Sequence, residues 1–141
     1  MDARIIEPTE PRILPPLTDV NRPFWTGGAR GELLILYCTE CECWVHPPVA
    51  ACPHCDGSLE PRPVRGTGTL FTFTVNEHQY HPDVPPPYVI AIVELDEQPD
   101  LRLPTNIVHA PLDSLRCGMR VRVLFEDRGE IFVPLFEPDE P

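Results

Sequence analysis

The sequence predicts a mainly β protein, in which a small metal-binding ribbon precedes a five-stranded barrel. Three observations support this fold class. Twenty of the 141 residues are proline, and proline lacks an amide N–H and disrupts helix interiors and central strands, so a helical bundle is excluded. Two Cys-x-x-Cys pairs follow one another closely in the first half of the chain. Beyond them, short stretches rich in β-branched and aromatic residues alternate with turns.

Residues 1–36 are predicted to form an extended N-terminal arm followed by a short helix. Prolines interrupt the first 17 residues, yet this stretch also carries apolar side chains at Ile5, Ile6, Ile13, Leu14 and Leu17. It is therefore either a disordered leader or an arm that lies on its own domain or on a partner. Asp19 or Asn21 is expected to cap the helix, with Pro23 in its first turn.

Residues 37–60 are predicted to form a zinc ribbon. Its proposed ligands are Cys38, Cys41, Cys52 and Cys55. Two sulfurs with this spacing reach one metal from a single turn, and two such turns complete a tetrahedral thiolate site that suits Zn²⁺. Because protein sulfurs fill all four positions, the zinc is expected to be structural and to have no open position for a substrate.

The same cysteines allow other interpretations. Iron is the main alternative metal, two disulfides would suit a secreted protein, and a redox pair is another use of Cys-x-x-Cys. Cys43 is an alternative to Cys41 as a ligand. His46 and His54 lie inside the ribbon and are expected to be exposed, because the four sulfurs already satisfy the metal. Cys117 stands alone and is expected to be a small buried hydrophobe.

Residues 61–138 are predicted to form an OB-fold barrel. Its five strands are expected at residues 69–75, 88–95, 103–109, 119–125 and 131–136. In the first strand, Phe71, Phe73 and Val75 are expected to share one face, and the apolar second strand is expected to be buried on both faces. A break after the third strand, with one helical turn over 111–118, fits a five-stranded Greek key. An SH3-like barrel or a small open sheet is the alternative.

The charge balance argues against nucleic-acid binding. The chain carries 22 acidic and 11 basic side chains, a net charge of -11, whereas affinity for nucleic acid comes mainly from Lys and Arg on phosphates. The longest apolar stretch, residues 88–93, is far shorter than the ~20 residues of a membrane-spanning helix. No secretory signal is recognisable. We therefore expect a cytoplasmic protein that binds neither nucleic acid nor membrane.

One polar cluster has the residue types for acid–base chemistry. Residues 76–81 include Glu77, His78, Tyr80 and His81, and side chains of these types can transfer protons. The cluster leads into a proline-rich stretch, so it is expected to be a solvated or partner-facing loop. We therefore assign no catalytic residue, and the sequence does not identify any cofactor-binding residue beyond the metal ligands.

The order of these features resembles a family of acyl-CoA-associated proteins, long described as a domain of unknown function, that combine a rubredoxin-like zinc ribbon with an OB-fold. The resemblance covers about residues 20–138. The segments that carry it are Phe24-Trp25, Gly31-Glu32-Leu33, the two cysteine pairs around Pro47-Pro48, Gly66-Thr67-Gly68-Thr69-Leu70, Pro87-Tyr88-Val89-Ile90-Ala91, Gly118-Met119-Arg120-Val121 and Phe136-Glu137-Pro138. The family often has a basic residue before the first ligand and a glycine after the second, where this sequence has Tyr37 and Glu42.

The resemblance implies a function in a complex. Family members look like accessory subunits of thiolase-fold enzymes, including lipid-transfer-protein-type thiolases and aldolases that act on acyl-CoA, and sterol side-chain degradation is one setting. For this chain, the resemblance implies a non-catalytic subunit of a hetero-oligomer. Such a subunit stabilises its partner, helps to shape the acyl-CoA site and binds acyl-CoA jointly with that partner.

The residues themselves suggest where such a partner would bind. The N-terminal arm, the Phe24-Trp25 pair and the prolines within residues 82–87 are the expected contacts, and the aromatic pair is expected to be exposed. Two alternative functions remain open. One is a nucleic-acid-binding ribbon and barrel, and the other is a stand-alone acyl-CoA enzyme that uses residues 76–81.

Overall fold

The computed structural model describes residues 5–6, 14–78 and 86–139. Part of the predicted arm, the end of the polar cluster and most of the proline-rich stretch therefore lie outside the described residues. Within the described ranges, no helix has the length and apolar character needed to cross a membrane.

The N-terminal helix is short and begins where the sequence places it. Helix α1 spans Arg22–Thr26 with Asn21 at its N-cap and proline in its first turn, and a 3₁₀ turn continues it over Gly27–Arg30. The expectation that both aromatic residues are exposed is wrong for Phe24, which is 6% exposed and belongs to the main core. Trp25 is half-buried and packs edge-on against Phe24, with the ring centroids 4.8 Å apart.

The ribbon is a three-stranded antiparallel sheet in the order β2-β1-β3. Strand β1 spans Leu33–Cys38, β2 spans Cys43–Val45 and β3 spans Leu59–Val64. β1 was expected from its apolar run, but β3 was not, because it contains Pro61 and Pro63. Both prolines sit on an edge strand, where a missing N–H costs little if it points away from β1. β3 includes residue 60, where the boundary between the ribbon and the OB-fold domain is predicted. That boundary stays a prediction.

The second unit is a curled five-stranded sheet of the OB type, which confirms the predicted fold class. Its strands are β4 (Thr67–Asn76), β5 (Tyr88–Leu95), β6 (Arg102–Thr105), β7 (Arg120–Arg128) and β8 (Ile131–Pro138). They lie in the order β6-β5-β4-β7-β8. The sheet closes through a parallel bridge between Ile107 and Phe136, where the Val108 N–H donates to the Phe136 carbonyl at 2.9 Å.

Two expectations about the barrel strands were wrong in detail. A register shift between Leu70 and Thr72 marks a bulge in β4, so Phe71 is 45% exposed while Phe73 and Val75 pack against the core. β5 alternates instead of being buried on both faces, and Ile90 is 46% exposed. In both cases, a large apolar side chain lies on the outer face of the barrel.

The connection between β6 and β7 is also more irregular than expected. The predicted third strand ends at Thr105, and residues 106–108 instead pair with β8. The helical turn is limited to Leu112–Ser114 and ends before the glycine that was expected to stop it. Cys117 follows this turn and is exposed, so the expectation that it is buried was wrong.

Ribbon and barrel share one hydrophobic core. Leu33 and Ile35 of β1 are each 1% exposed and join the cluster that contains the barrel residues. The Gln98 side chain adds a polar connection, because it accepts a hydrogen bond from the Trp44 N–H at 2.9 Å and donates one to the Trp44 carbonyl at 3.0 Å. The position of the ribbon is therefore fixed by both packing and hydrogen bonds.

The beginning of the chain is part of the barrel as well. Ile6 is 7% exposed and lies in the main core. Its N–H donates to the Ala110 carbonyl at 2.9 Å, and its carbonyl accepts from the His109 N–H at 2.7 Å. At these residues the arm lies on its own domain, which was one of the two expectations.

Candidate metal centre and apolar cleft

Two tight turns bring the four predicted ligands together. Cys38 ends β1, and the Cys41 N–H donates to its sulfur at 3.5 Å. In the second turn, the Asp56 N–H donates to the Cys52 carbonyl at 2.9 Å. Glu42 follows the first pair and Asp56 the second, and both have a left-handed backbone, with φ of 58° and 60°. The glycine that the family often has at position 42 would suit this conformation, but here glutamate adopts it.

The four sulfur atoms have a spacing that fits one tetrahedral metal ion. All four lie within 4.8 Å of one another. The Cys38 and Cys55 sulfurs are 3.4 Å apart, and those of Cys41 and Cys52 are 3.6 Å apart. Zinc–sulfur bonds of about 2.3 Å in a tetrahedron place the ligand sulfurs about 3.8 Å apart. The donor set and its spacing therefore fit a zinc ion, and the assignment of these four ligands stays a prediction.

The crowding of the thiols shifts their pKa values in opposite directions. The hydrogen bond with the Cys43 thiol, with a smaller contribution from desolvation, raises the pKa of the exposed Cys41 to about 12. Burial acts to raise the pKa of Cys52, but hydrogen bonds from the backbone of His54 and Cys55 outweigh it and lower that pKa to about 6. Several thiolates cannot be crowded together without a compensating cation, and a divalent ion in their centre supplies that charge.

A fifth sulfur lies against this cluster. The Cys43 sulfur is 3.0 Å from that of Cys41 and 4.0 Å from that of Cys52. Cys43 begins β2 and is paired in register with Cys38 of β1. The spacing of the motif did not reveal how close Cys43 lies, because its position follows from the pairing of two strands.

The two histidines of the ribbon have different environments. His54 is exposed, as expected. His46 is not, because it packs against Phe24 with ring centroids 4.8 Å apart. Burial lowers the pKa of His46 to about 4, and its Nδ1 atom is buried without a hydrogen-bond partner. The imidazole is therefore neutral near pH 7.

His46 lines an apolar cleft between the ribbon, helix α1 and the barrel. The cleft has a volume of about 590 Å³. Its walls combine aromatic, aliphatic and proline side chains with a few uncharged polar groups, and they include Trp25, Pro47, Ile90, Leu103 and Val133. A volume and lining of this kind are typical of binding sites. The cleft was not predicted from the sequence, since its walls come from separate parts of the chain.

The apolar surface continues from the cleft across the outer face of the barrel. A neighbouring depression is lined by His46, Pro47, Phe71, Ile92, Arg102 and Pro104. The Arg102 guanidinium lies 3.8 Å from the centroid of the Phe71 ring. No acidic residue in the described part of the chain lines either depression, although the chain has twice as many acidic as basic side chains. We refer to this surface, represented by Trp25, Phe71 and Ile90, as the cleft face.

The predicted polar cluster is only partly within the described residues. The Asn76 side chain donates a hydrogen bond to the His78 carbonyl at 2.8 Å, and Glu77 and His78 are exposed. Tyr80 and His81 lie outside the described residues. Among the residues that the structure describes, the ribbon cysteines are the one cluster of His, Cys, Asp and Glu side chains with metal-binding geometry.

Comparison with known protein families gives two adjacent matches. Residues 25–62 match the family model of the rubredoxin-like zinc ribbon domain of ChsH2. Residues 61–126 match that of the C-terminal OB-fold domain of ChsH2. Together the two matches cover the ribbon and the barrel as far as residue 126, within β7.

Individual relatives agree with these matches. A "Probable enoyl-CoA hydratase alpha subunit" from Thermomonospora curvata is 38% identical over 94% of this chain, which spans 42% of the length of that relative. A chain of the solved "Ltp2-ChsH2(DUF35) aldolase" is 32% identical with a TM-score of 0.80, and the match covers 90% of this chain and all of the other. A DUF35-family protein of unknown function from Sulfolobus solfataricus shares the fold, with a TM-score of 0.62, 14% identity and 86% coverage of each chain.

Proposed function

The chain belongs to the DUF35 family of ChsH2-type proteins with a zinc ribbon and an OB-fold, and from this premise we propose that it is a non-catalytic subunit of a thiolase-fold enzyme that acts on acyl-CoA thioesters. The observation that carries the proposal is the full-length similarity to a chain of the Ltp2-ChsH2(DUF35) aldolase, whose name joins two components in one enzyme. The relative from Thermomonospora curvata, named as a subunit, supports the link to CoA thioesters.

The chemistry of the described residues supports a role without catalysis. We propose that Cys38, Cys41, Cys52 and Cys55 hold a structural zinc ion, which would cross-link the two turns of the ribbon and contribute to its folding. Four protein sulfurs leave the ion no open position for a substrate or a reactive water. We therefore expect the reacting groups to come from the partner.

The cleft face is where we place the partner. Phe71 and Ile90 are large apolar side chains that lie 45% and 46% exposed on it, and buried apolar and aromatic residues dominate the centres of stable interfaces. Among the described residues, none that lines the two depressions is acidic, and the Glu94 and Asp100 carboxylates beside them are paired with Arg102. A thiolase-fold subunit with an apolar patch can therefore approach the face without burying an unpaired carboxylate. The neutral His46 ring adds no charge to this surface.

The finer parts of the proposal concern the reaction. We propose that the partner is a thiolase or a retro-aldolase, and that this chain stabilises it and helps to shape the acyl-CoA site. Degradation of sterol side chains is the setting in lipid metabolism that the family resemblance favours. The free cysteines of the described residues suit the reducing cytoplasm, where we place the complex.

Co-purification from the native host tests this proposal. A tagged full-length chain should retain a thiolase-fold protein, identified by mass spectrometry, in a fixed ratio through gel filtration. Ile90→Asp should abolish retention, because it places a charge in the centre of the proposed interface. Val49→Asp is the matched control, since Val49 is 38% exposed and does not line the cleft. A chain that remains alone in the wild-type preparation would contradict the subunit proposal, whereas equal retention by both variants would contradict only the docking face.

A further inference from the structure

The ribbon contains five sulfur atoms where a tetrahedral ion takes four. Cys41 and Cys43 both approach Cys52, with sulfur–sulfur distances of 3.6 Å and 4.0 Å. Both distances are close to the spacing of about 3.8 Å between two sulfur ligands of one tetrahedral zinc ion. By this measure, either sulfur can stand beside Cys52. Only Cys41 belongs to the group of four sulfurs that lie within 4.8 Å of one another, so Cys43 has to shift towards the ion to take that position.

The same two sulfurs cannot both bind one ion. They are 3.0 Å apart, which is well below the spacing of about 3.8 Å that two ligands on a zinc tetrahedron require. Cys41 and Cys43 therefore compete for a single position. Among the other sulfur contacts of the described residues, the shortest is 3.4 Å, between Cys38 and Cys55.

The backbone holds the two competitors by independent means. Cys41 lies in the turn, where its N–H bonds to the Cys38 sulfur. Cys43 is the first residue of β2 and is held opposite Cys38 by the antiparallel pairing of β1 and β2. A change that removes the Cys41 sulfur therefore leaves Cys43 in place beside the ion. Cys41 is exposed and Cys43 is only partly buried, so neither sulfur is confined by tight packing.

We propose that Cys43 is a reserve zinc ligand that takes the position of Cys41 when the Cys41 sulfur is lost. Cys41 holds the position in the intact protein, because its turn provides the hydrogen bond to Cys38. Substitution of Cys41 would then leave a four-sulfur site made by Cys38, Cys43, Cys52 and Cys55. This inference rests on the proposed zinc site and extends it to a second, ordered choice of ligand.

Zinc content and Co²⁺ spectra of the full-length chain test the proposal. Cys41→Ser and Cys43→Ser should each retain one zinc ion per chain. The double variant Cys41→Ser/Cys43→Ser should bind zinc at least about tenfold more weakly than Cys41→Ser, a difference of about 1.4 kcal/mol. Cobalt bound to Cys41→Ser should show the absorption of four-sulfur coordination, and cobalt bound to the double variant should not. Cys55→Ser is the matched control, because no spare cysteine is placed to replace it.

Several results would overturn the inference. One is that Cys41→Ser loses zinc as fully as Cys55→Ser does, and another is that its cobalt spectrum equals that of the double variant. Failure of both Cys41→Ser and Cys41→Ala to fold under conditions where Cys43→Ser folds would count equally against it. A wild-type chain without a bound metal would overturn the zinc site itself, whereas the other results would leave that site and the subunit proposal standing.

Discussion

His46 illustrates how burial decides the chemistry of a single side chain. Its position in a ribbon rich in metal ligands would suit an exposed imidazole, but the ring packs on Phe24 at the wall of the cleft. Burial lowers the pKa of His46 to about 4, compared with about 6.5 for a free histidine. A neutral ring, whose Nδ1 atom is buried without a hydrogen-bond partner, fits the apolar wall of the cleft.

The lowered pKa predicts a dependence of stability on pH. As the pH falls from about 6.5 to about 4, the unfolded chain protonates His46 while the folded chain does not, so the free energy of unfolding decreases by up to about 2–3 kcal/mol. We expect His46→Gln to remove this component. Urea unfolding at pH 7 and pH 5, with zinc in excess, measures it for both chains. An identical pH dependence in wild type and variant would contradict the burial of a neutral His46.

The cysteines show what residue spacing can predict about the site. The two Cys-x-x-Cys pairs indicated a tetrahedral group of sulfurs, and the structure brings those four sulfurs within 4.8 Å of one another. The sequence offered Cys43 only as an alternative to Cys41, and its approach beside Cys41 depends on the register in which β1 pairs with β2. Spacing identifies ligands that share a turn, but it does not identify a sulfur delivered by a neighbouring strand.

At the scale of the elements, the β-strand pattern predicted most of the barrel. The exceptions have local causes. Pro61 and Pro63 hid the edge strand β3, since proline is unfavourable within central strands. The bulge in β4 moved Phe71 to the outer surface, and a bulge changes which residues face the core without any sign in the hydrophobic pattern. The cleft face depends on this bulge, so it could not be derived from alternation alone.

The connection between ribbon and barrel also gives a prediction at this scale. The Gln98 side chain makes two hydrogen bonds with the backbone of Trp44. Gln98→Ala leaves both backbone groups without these partners and should lower the free energy of unfolding by about 1–3 kcal/mol. Thermal unfolding followed by tryptophan fluorescence measures the loss.

Gln98→Glu is the matched control for that substitution. Its carboxylate can still accept from the Trp44 N–H but cannot donate to the Trp44 carbonyl, so its stability should lie at or below that of the wild type. Unchanged stability in Gln98→Ala would show that packing alone fixes the ribbon against the barrel.

For the molecule as a whole, the distribution of charge separates the candidate functions. In the described part of the chain, eight arginines form ion pairs with acidic side chains, and Arg120 with Asp96 is one example. The Arg120 guanidinium lowers the pKa of Asp96 to about 2. Arginines that already neutralise carboxylates are poorly placed to bind a phosphate backbone, so we predict weak or no binding of nucleic acid.

We therefore expect no retention on heparin or single-stranded DNA at physiological salt. The net charge of -11 should repel both polyanions, and lower salt should strengthen the repulsion. A chromatographic comparison at low and physiological salt measures this. Retention that weakens steeply as the salt concentration rises would support a nucleic-acid-binding module instead.

The N-terminal residues also matter at the scale of the whole molecule. Ile6 contributes to the core of the barrel and pairs with residues 109 and 110. Deletion of the entire arm would therefore weaken the barrel as well as any contact with a partner. Point substitutions on the cleft face are the cleaner way to separate assembly from folding.

The turnover of an acyl-CoA substrate by the separated and combined subunits tests the central claim most directly. We predict no turnover by this chain alone and full turnover by its complex with the thiolase-fold partner. His78→Ala in this chain should leave the rate of the complex within about tenfold of the wild type, since loss of a true general acid or base costs ~10²–10⁴-fold. A purified, monodisperse chain that turns over an acyl-CoA by itself, and loses that activity with His78→Ala, would contradict the account.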